Sequence, residues 1–234
     1  MRTRSFLFFL FLSLAIGVSD SRALEFRLVS WDGDINDLNY ATGGKVVPVA
    51  ACESLLSPAY QWIGTGPLIL FREVKQDGKT VRIPVATLTP PTELTHAILL
   101  LSATDASHST YAGRWINDSL DARPLQTITY LNLSQYLIGI RLGEEEYTVA
   151  PQSSRTQATD TSVQRLLLKA AAKTPSGWEI IASTSQTVRA GRRTLVLLRD
   201  GRPQVNGHID RIDFLIFNDR PQPPASPGTP VASR

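Results

Sequence analysis

Three oxygen-bearing side chains near the start of the chain, Asp32, Asp34 and Asn36, have the spacing of the first ligands in a calcium-binding loop. Such loops place ligands at positions 1, 3 and 5, a glycine at position 6 and a bidentate glutamate at position 12. Here Asp37 replaces the glycine and Gly43 replaces the glutamate. The segment therefore predicts a polar turn between strands, with a calcium site of another kind as the alternative.

Side chains suited to proton transfer or nucleophilic attack are sparse. The three histidines, His96, His108 and His208, are far apart in the sequence, and nothing pairs any of them with the single cysteine, Cys52. A nucleophilic cysteine needs such a base, so we interpret Cys52 as a buried apolar thiol. The motifs of serine hydrolases, zinc proteases and phosphate-binding loops are absent from the sequence. The sequence thus indicates no catalytic residue, no cofactor and no metal, and a hydrolase with an unrecognised site is the least favoured function.

The densest run of ionisable residues is Glu144–Glu146, which raises the question of an acidic site. With Gly143 and Glu144 as a two-residue turn, apolar residues before and after the turn fall on one face of a hairpin. In that register Arg141 lies opposite Glu146 on the solvent face. A four-residue turn gives the same two faces, with Arg141 opposite Thr148. Both registers predict a solvated hairpin turn in place of a binding site.

Aromatic side chains offer a second kind of chemistry, because exposed indole and phenol rings stack on sugars. In a β-sandwich, however, tryptophan more often packs in the core or at a sheet edge. Both alternatives stay open for the seven residues considered, which are Trp31, Trp62, Trp115, Trp178, Tyr60, Tyr111 and Tyr130.

The elements that must position these residues are short strands. About eleven apolar-rich runs alternate with turn residues, as in the Asp77-Gly78 hairpin turn. The segment 163–172 is ambiguous between a helix and a strand. Regular strands without interleaved helices predict an all-β fold of two immunoglobulin-like antiparallel β-sandwich domains in tandem. A polar, turn-rich stretch places the boundary at 113/114, giving domains 24–113 and 114–218; one large sandwich is the alternative.

Both ends of the chain have distinct compositions. Residues 1–23 combine Arg2 and Arg4, an apolar run and small residues before Ala23, which predicts a signal peptide cleaved after Ala23. Residues 219–234 are rich in Pro, Ser and Gly, which predicts a disordered or extended tail. Removal of residues 1–23 takes away three arginines and one aspartate and changes the net charge from +3 to +1. Such a charge gives no support for nucleic acid as a partner, and no later segment predicts a membrane span.

The second half carries a resemblance. The pieces are Leu131-Asn132-Leu133, the strand 138–143, the turn Ala150-Pro151-Gln152 and the strand 191–197. Together they resemble secreted bacterial β-sandwich modules of the DUF4397 and AlgF-like (alginate-acetylation accessory) type. Gln152 departs from the pattern, which usually has glycine there. The resemblance implies a non-enzymatic module of the cell envelope or exterior and transfers no site residue.

These observations predict an exported bacterial protein, periplasmic or extracellular, that is not an enzyme. A single cysteine forms no intrachain disulfide, which favours a bacterial over an animal secreted protein. We expect a binding or structural module whose partner is a protein or glycan at the envelope. An accessory protein for exopolysaccharide modification or export is the alternative.

Overall fold

The computed structural model describes residues 22–160, 165–187, 189–201 and 212–221. All regular secondary structure in these ranges is β-strand. The first half contains β1 (Arg22–Ser30), β2 (Ile35–Thr42), β3 (Lys45–Ala51), β4 (Tyr60–Gly64), β5 (Leu68–Gln76), β6 (Lys79–Leu88), β7 (His96–Ala103) and β8 (Tyr111–Asn117). The second half contains β9 (Thr127–Asn132), β10 (Leu137–Leu142), β11 (Glu145–Val149), β12 (Ser153–Ala158), β13 (Arg165–Thr174), β14 (Gly177–Thr187), β15 (Arg193–Asp200) and β16 (Ile212–Asp219).

The strands form four four-stranded sheets, two in each half. We call them the first outer sheet (β3-β2-β5-β6), the first inner sheet (β4-β1-β7-β8), the second inner sheet (β12-β9-β15-β16) and the second outer sheet (β11-β10-β13-β14). Each half is a sandwich of one outer and one inner sheet, which confirms the predicted fold class of tandem β-sandwiches. One strand pair in each half is parallel, β1 with β7 and β9 with β15, where only antiparallel pairing was expected.

The second half repeats the topology of the first strand by strand. Adding eight to each strand number converts the first outer and inner sheets into the second outer and inner sheets. Even the irregularities correspond, because the β5–β6 register shifts between Leu70 and Phe71 and the β13–β14 register shifts between Ala170 and Ala171. The two sandwiches are therefore structural repeats of one unit.

Each sandwich buries the alternating apolar residues of its two facing sheets. In the first core Phe26 packs edge-on against Tyr40, with 5.4 Å between ring centroids. In the second core Tyr130 packs against Tyr147 at 5.7 Å. Burial raises the pKa of Tyr130, and it raises the pKa of Tyr147 to about 12, so both phenols stay neutral at physiological pH.

A third apolar core joins the two inner sheets and makes the molecule four layers thick. The two repeats contribute residues at corresponding positions to this core, as matching the paired registers of the two inner sheets shows. For example, Val29 of β1 corresponds to Leu131 of β9, and Ile116 of β8 corresponds to Phe217 of β16. The buried members are Val29, Trp31, Ile98, Leu100 and Ile116 from the first sandwich and Leu131, Leu195, Leu197 and Phe217 from the second.

A buried ion network closes one end of this interface. Arg27 of the first sandwich lies 2.6 Å from carboxylate oxygens of both Asp118 and Asp219. Arg193 of the second sandwich reaches the same two carboxylates at 2.9 and 3.1 Å. Asp118 also binds Arg123. Burial alone would raise the pKa of Asp219, but the hydrogen bonds and charge of Arg27, together with Arg193, hold it below its usual value.

The predicted boundaries after residues 23, 113 and 218 all fall inside strands of the structure. The boundary expected at 113/114 lies inside β8, which pairs with β7 and belongs to the first sandwich, so the first sandwich extends through Asn117. The ambiguous segment 163–172 contributes the strand β13 from Arg165 onward. Of the predicted signal peptide, residues 1–21 lie outside the described residues, and Arg22 and Ala23 are already part of β1. The predicted disordered tail began at residue 219, but Asp219 is the last residue of β16 and pairs with Arg193. From residue 222 onward the tail lies outside the described residues.

Candidate binding groove

The glutamate run is a hairpin turn, as predicted. Leu142 pairs with Glu145, Arg141 with Glu146 and Ile140 with Tyr147, which is the register of the two-residue turn. Gly143 has φ +61°, a backbone conformation that favours glycine over residues with a Cβ atom. All three glutamates are exposed, so the acidic run forms no enclosed site.

In the segment with calcium-loop spacing, the carboxylates of Asp32 and Asp34 bind groups of the protein itself. One Asp32 oxygen accepts the backbone N–H of Ala103 at 2.7 Å, and the other lies 3.2 Å from Arg199. Asp34 accepts the backbone N–H of Glu53 at 2.9 Å. Asn36 lies in β2, so the segment is a short turn that enters a strand. Within the described ranges, no cluster of three or more His, Cys, Asp or Glu side chains has a metal-binding arrangement.

The nucleophile and base candidates are not brought together. His96 hydrogen-bonds the neighbouring Thr95 hydroxyl at 3.1 Å, and His108 lies in an exposed loop with φ +53°. His208 lies outside the described residues. Cys52 is partly buried, not fully buried as the interpretation of an apolar thiol required. The backbone of Cys52 is fixed by a hydrogen bond, in which its carbonyl accepts the N–H of Ser30 at 3.0 Å.

The aromatic residues separate into core side chains and one exposed ring. Trp31, Trp62, Tyr111 and Tyr130 are buried, while Trp115 and Tyr60 are partly buried against the first core. Trp178, at the start of β14, is 52% exposed. Of the seven residues considered for a sugar-stacking platform, only Trp178, on the second outer sheet, is exposed.

Trp178 lies across the solvent face of that sheet. It pairs with Lys173 on the neighbouring strand, yet its ring reaches β10 two strands away. A Cβ atom added to Gly139 would lie 3.1 Å from Cζ3 of the indole, so the ring rests over the glycine. Small residues make this possible, because Ala171 stands directly between Gly139 and Ile180 in the paired register.

The indole forms one side of a shallow groove of about 510 Å³. Ile180, which is 74% exposed, adds a second apolar side chain next to the ring. The other side is polar: Arg141, Lys169 and Glu146 line it, and the Arg141–Glu146 ion pair measures 3.3 Å. The groove combines a flat apolar surface with N–H donors and one acceptor, which suits binding by stacking and hydrogen bonds.

The sequence contains one signal for this groove, which the sequence-based prediction did not use. Gly139 and Ala171 occupy outward-facing strand positions, where a strand normally carries larger side chains. A glycine in a strand interior marks a site of close approach by another group, and here that group is Trp178. Finding the pair from the sequence required the β10-β13-β14 order, which long-range pairing decides.

Gln152 explains one departure from the resemblance described above. It has φ +55°, the left-handed conformation for which glycine is usual. Its side chain uses the position: Nε2 donates to the Leu133 carbonyl at 2.6 Å, and Oε1 accepts from Arg114 at 3.0 Å. Because Arg114 lies in β8, the glutamine connects the two sandwiches, which glycine would not do.

Comparison with known proteins gives similarities of low extent. No family model matches the chain, and no curated protein matches it. The chain is similar to a protein from Eubacterium rectale solved by NMR, at 16% sequence identity and a TM-score of 0.22, covering 46% of this chain and 99% of that one. It is also similar to a crystallised candidate cell adhesion protein from Bacteroides eggerthii, at 8% identity and a TM-score of 0.23, covering 86% and 96% of the two chains.

The described ranges contain no helix that is long and apolar enough to cross a membrane.

Proposed function

We propose that the protein is an exported, non-enzymatic binding module of the bacterial cell envelope or exterior. The apolar N-terminal segment and the single cysteine support export and a bacterial setting. Its partner is a protein or a glycan of that compartment. The two sandwiches act as one rigid support, because a shared apolar core and a buried ion network join their inner sheets.

The observation that carries the proposal is the exposed indole of Trp178 over Gly139. A large aromatic side chain half-exposed on a sheet face leaves apolar area in contact with water, and such area is characteristic of binding surfaces. The adjoining Arg141 and Lys169 donate hydrogen bonds to a bound polar group.

Substitution of Trp178 tests the proposal. We expect Trp178→Ala to weaken binding to purified envelope polysaccharide or purified surface protein by about tenfold, the equivalent of about 1.4 kcal/mol. Biolayer interferometry with immobilised protein measures the affinity. The matched control is Ile83→Ala, which removes an exposed apolar side chain from the first outer sheet and should leave the affinity unchanged.

The two ligand preparations assign the partner class, since the groove should bind one of them. Equal binding by the wild type and the Trp178→Ala variant would exclude the groove as the binding surface. Release of a product from either preparation during the measurement would contradict the non-enzymatic role.

A further inference from the structure

Positive charge is concentrated around the groove. Arg141 and Lys169 line it, and they pair directly with each other on the neighbouring strands β10 and β13. Lys173 follows on the same face of β13 and pairs with Trp178. All three cationic side chains are exposed. In the part of the chain that the structure describes, the one ion pair on this face joins Arg141 to Glu146.

This arrangement of charges is unfavourable for the sheet by itself. Like charges directly opposite each other on neighbouring strands destabilise a sheet, and Arg141 stands opposite Lys169. Glu146 approaches Arg141 at Nε, and a guanidinium has further N–H donors on its two terminal nitrogens. An anionic group bound between Arg141 and Lys169 contacts both cations and removes their repulsion.

The first outer sheet does not carry this positive charge. At the positions of the three cations it has an alanine, an isoleucine and a glutamate, which are Ala41, Ile69 and Glu73. Glu73 forms an ion pair with Arg82 at 3.1 Å. Because the two outer sheets share one strand order and one register, the fold itself does not require cations at these positions. The positive charge and the open groove therefore occur together, in the second repeat.

The form of the groove favours a sugar polymer over a peptide. Extended peptides bind to sheets by adding a strand at an edge, where backbone N–H and C=O groups are unpaired. The floor of the groove is formed by β10 and β13, and each of these strands has a paired neighbour on both sides. Side chains alone then hold the ligand. The exposed indole offers a flat apolar surface to a sugar ring, and the cations offer N–H donors to anionic groups.

We propose that the Trp178 groove binds an anionic glycan. A sugar ring stacks on the indole, and a carboxylate, sulfate or phosphate group of the glycan binds between Arg141 and Lys169. Lys173, beside Trp178 in the paired register, binds a further anionic group of the same polymer. This inference rests on the proposed function and narrows the partner to a glycan that carries negative charge.

Polymers with one common sugar backbone test the role of charge. The probes are dextran, carboxymethyl dextran, dextran sulfate and dextran phosphate, with poly-L-glutamate as an acidic polypeptide. We expect the full chain to bind at least one anionic dextran about tenfold more tightly than dextran itself, because hydrogen bonds to charged groups are stronger than neutral ones. The derivative that binds most tightly identifies the anionic group.

Substitutions that introduce the residue of the first repeat test the two cations. Lys169→Ile and Arg141→Ala should each weaken binding to the preferred anionic dextran by about tenfold and leave binding to dextran unchanged. The matched control is Lys75→Ile, which removes an exposed cation from the first outer sheet with the same change in net charge. It should change the affinity by less than about twofold, because salt screens distant charges. Trp178→Ala, which changes no charge, should weaken binding to dextran and to its anionic derivative alike.

No binding to the anionic dextrans, or an affinity equal to that for dextran, would overturn the inference. If Trp178→Ala still weakened dextran binding, the groove would bind a neutral glycan and the proposed function would stand. Equal losses from Lys169→Ile and Lys75→Ile would also overturn it, because binding would then follow net charge and not the groove. Tighter binding of poly-L-glutamate than of every dextran derivative, lost with Trp178→Ala, would make the partner an acidic polypeptide.

Discussion

The two outer sheets have the same strand order but present opposite surfaces. In the paired registers Asn39, Phe71, Pro84 and Arg82 of the first sheet correspond to Gly139, Ala171, Ile180 and Trp178 of the second. In the first sheet Phe71 fills the surface and is only 5% exposed, with the Arg82 guanidinium 5.0 Å from its ring centroid. In the second sheet two small residues leave the surface open, and the indole lies across it.

This difference shows that the two repeats keep similar inner faces, which pack together, while their outer faces differ. The inner faces keep corresponding apolar positions because they pack against each other, and any large change there would leave a cavity or a clash. The outer faces have no such partner, so their side chains are free to diverge. The groove is thus a property of the second repeat alone among the described outer faces, whereas the rigid support belongs to both.

The largest expected effect concerns what the repeats share. Asp118 and Asp219 occupy corresponding positions at the end of the last strand of each sandwich, in Trp-Ile-Asn-Asp and Ile-Phe-Asn-Asp. We expect Asp118→Ala to lower the free energy of unfolding by about 3–5 kcal/mol, because it leaves the buried Arg123 without its ion-pair partner and removes one of the two carboxylates that bind Arg27 and Arg193. Asp219→Ala should cost less, because Asp219 binds Arg27 and Arg193, whereas Asp118 also binds Arg123.

Urea denaturation followed by circular dichroism measures both variants. The control is Asp37→Ala, since Asp37 is mostly exposed and its ion pair with Arg72 should be worth no more than about 1 kcal/mol. A loss of under about 1 kcal/mol for Asp118→Ala would show that the apolar core alone joins the sandwiches.

The second prediction exchanges the residues that make the outer faces differ. Phe71→Ala should lower the free energy of unfolding by about 3 kcal/mol, the low end for a buried phenylalanine, because the ring packs on the sheet surface beneath Arg82 and belongs to none of the three apolar cores. The reciprocal Ala171→Phe should change stability by under about 1 kcal/mol, since the new ring enters a groove with room for it. It should also displace Trp178 from Gly139 and abolish binding in the groove.

Urea denaturation and the envelope-binding assay together check this pair. Full binding by Ala171→Phe, at unchanged stability, would mean that the open surface between Gly139 and Ile180 is not where the partner binds.

The predictable part of the fold was the part with a local signal. Apolar alternation around Gly143 predicted the two faces of the β10–β11 hairpin and two possible registers, and the structure has the register of the two-residue turn. The strands β2, β4, β8 and β12 were missed, because their polar or glycine-containing sequences resemble turns. β13 was ambiguous because its leucines and alanines also suit a helix.

The groove and the ion network could not be predicted, for one physical reason. Each depends on contacts between residues that are separated in the sequence; Arg27 and Asp219, for example, lie 192 residues apart. The repeated Asn-Asp at the ends of β8 and β16 was a usable signal for the network. It becomes informative only once the two halves are known to be repeats.

The smallest expected effect concerns the β10–β11 hairpin, where the repeats differ without consequence for the fold. The second sandwich places Arg141 opposite Glu146, whereas the first places Ala41 opposite Val46. Both charged side chains are more than half exposed, so water screens the pair, and a double-mutant cycle with Arg141→Ala and Glu146→Ala should give a coupling of about 0.5 kcal/mol or less. Urea denaturation of the four proteins measures it. A coupling above about 1.5 kcal/mol would place these residues in a desolvated environment.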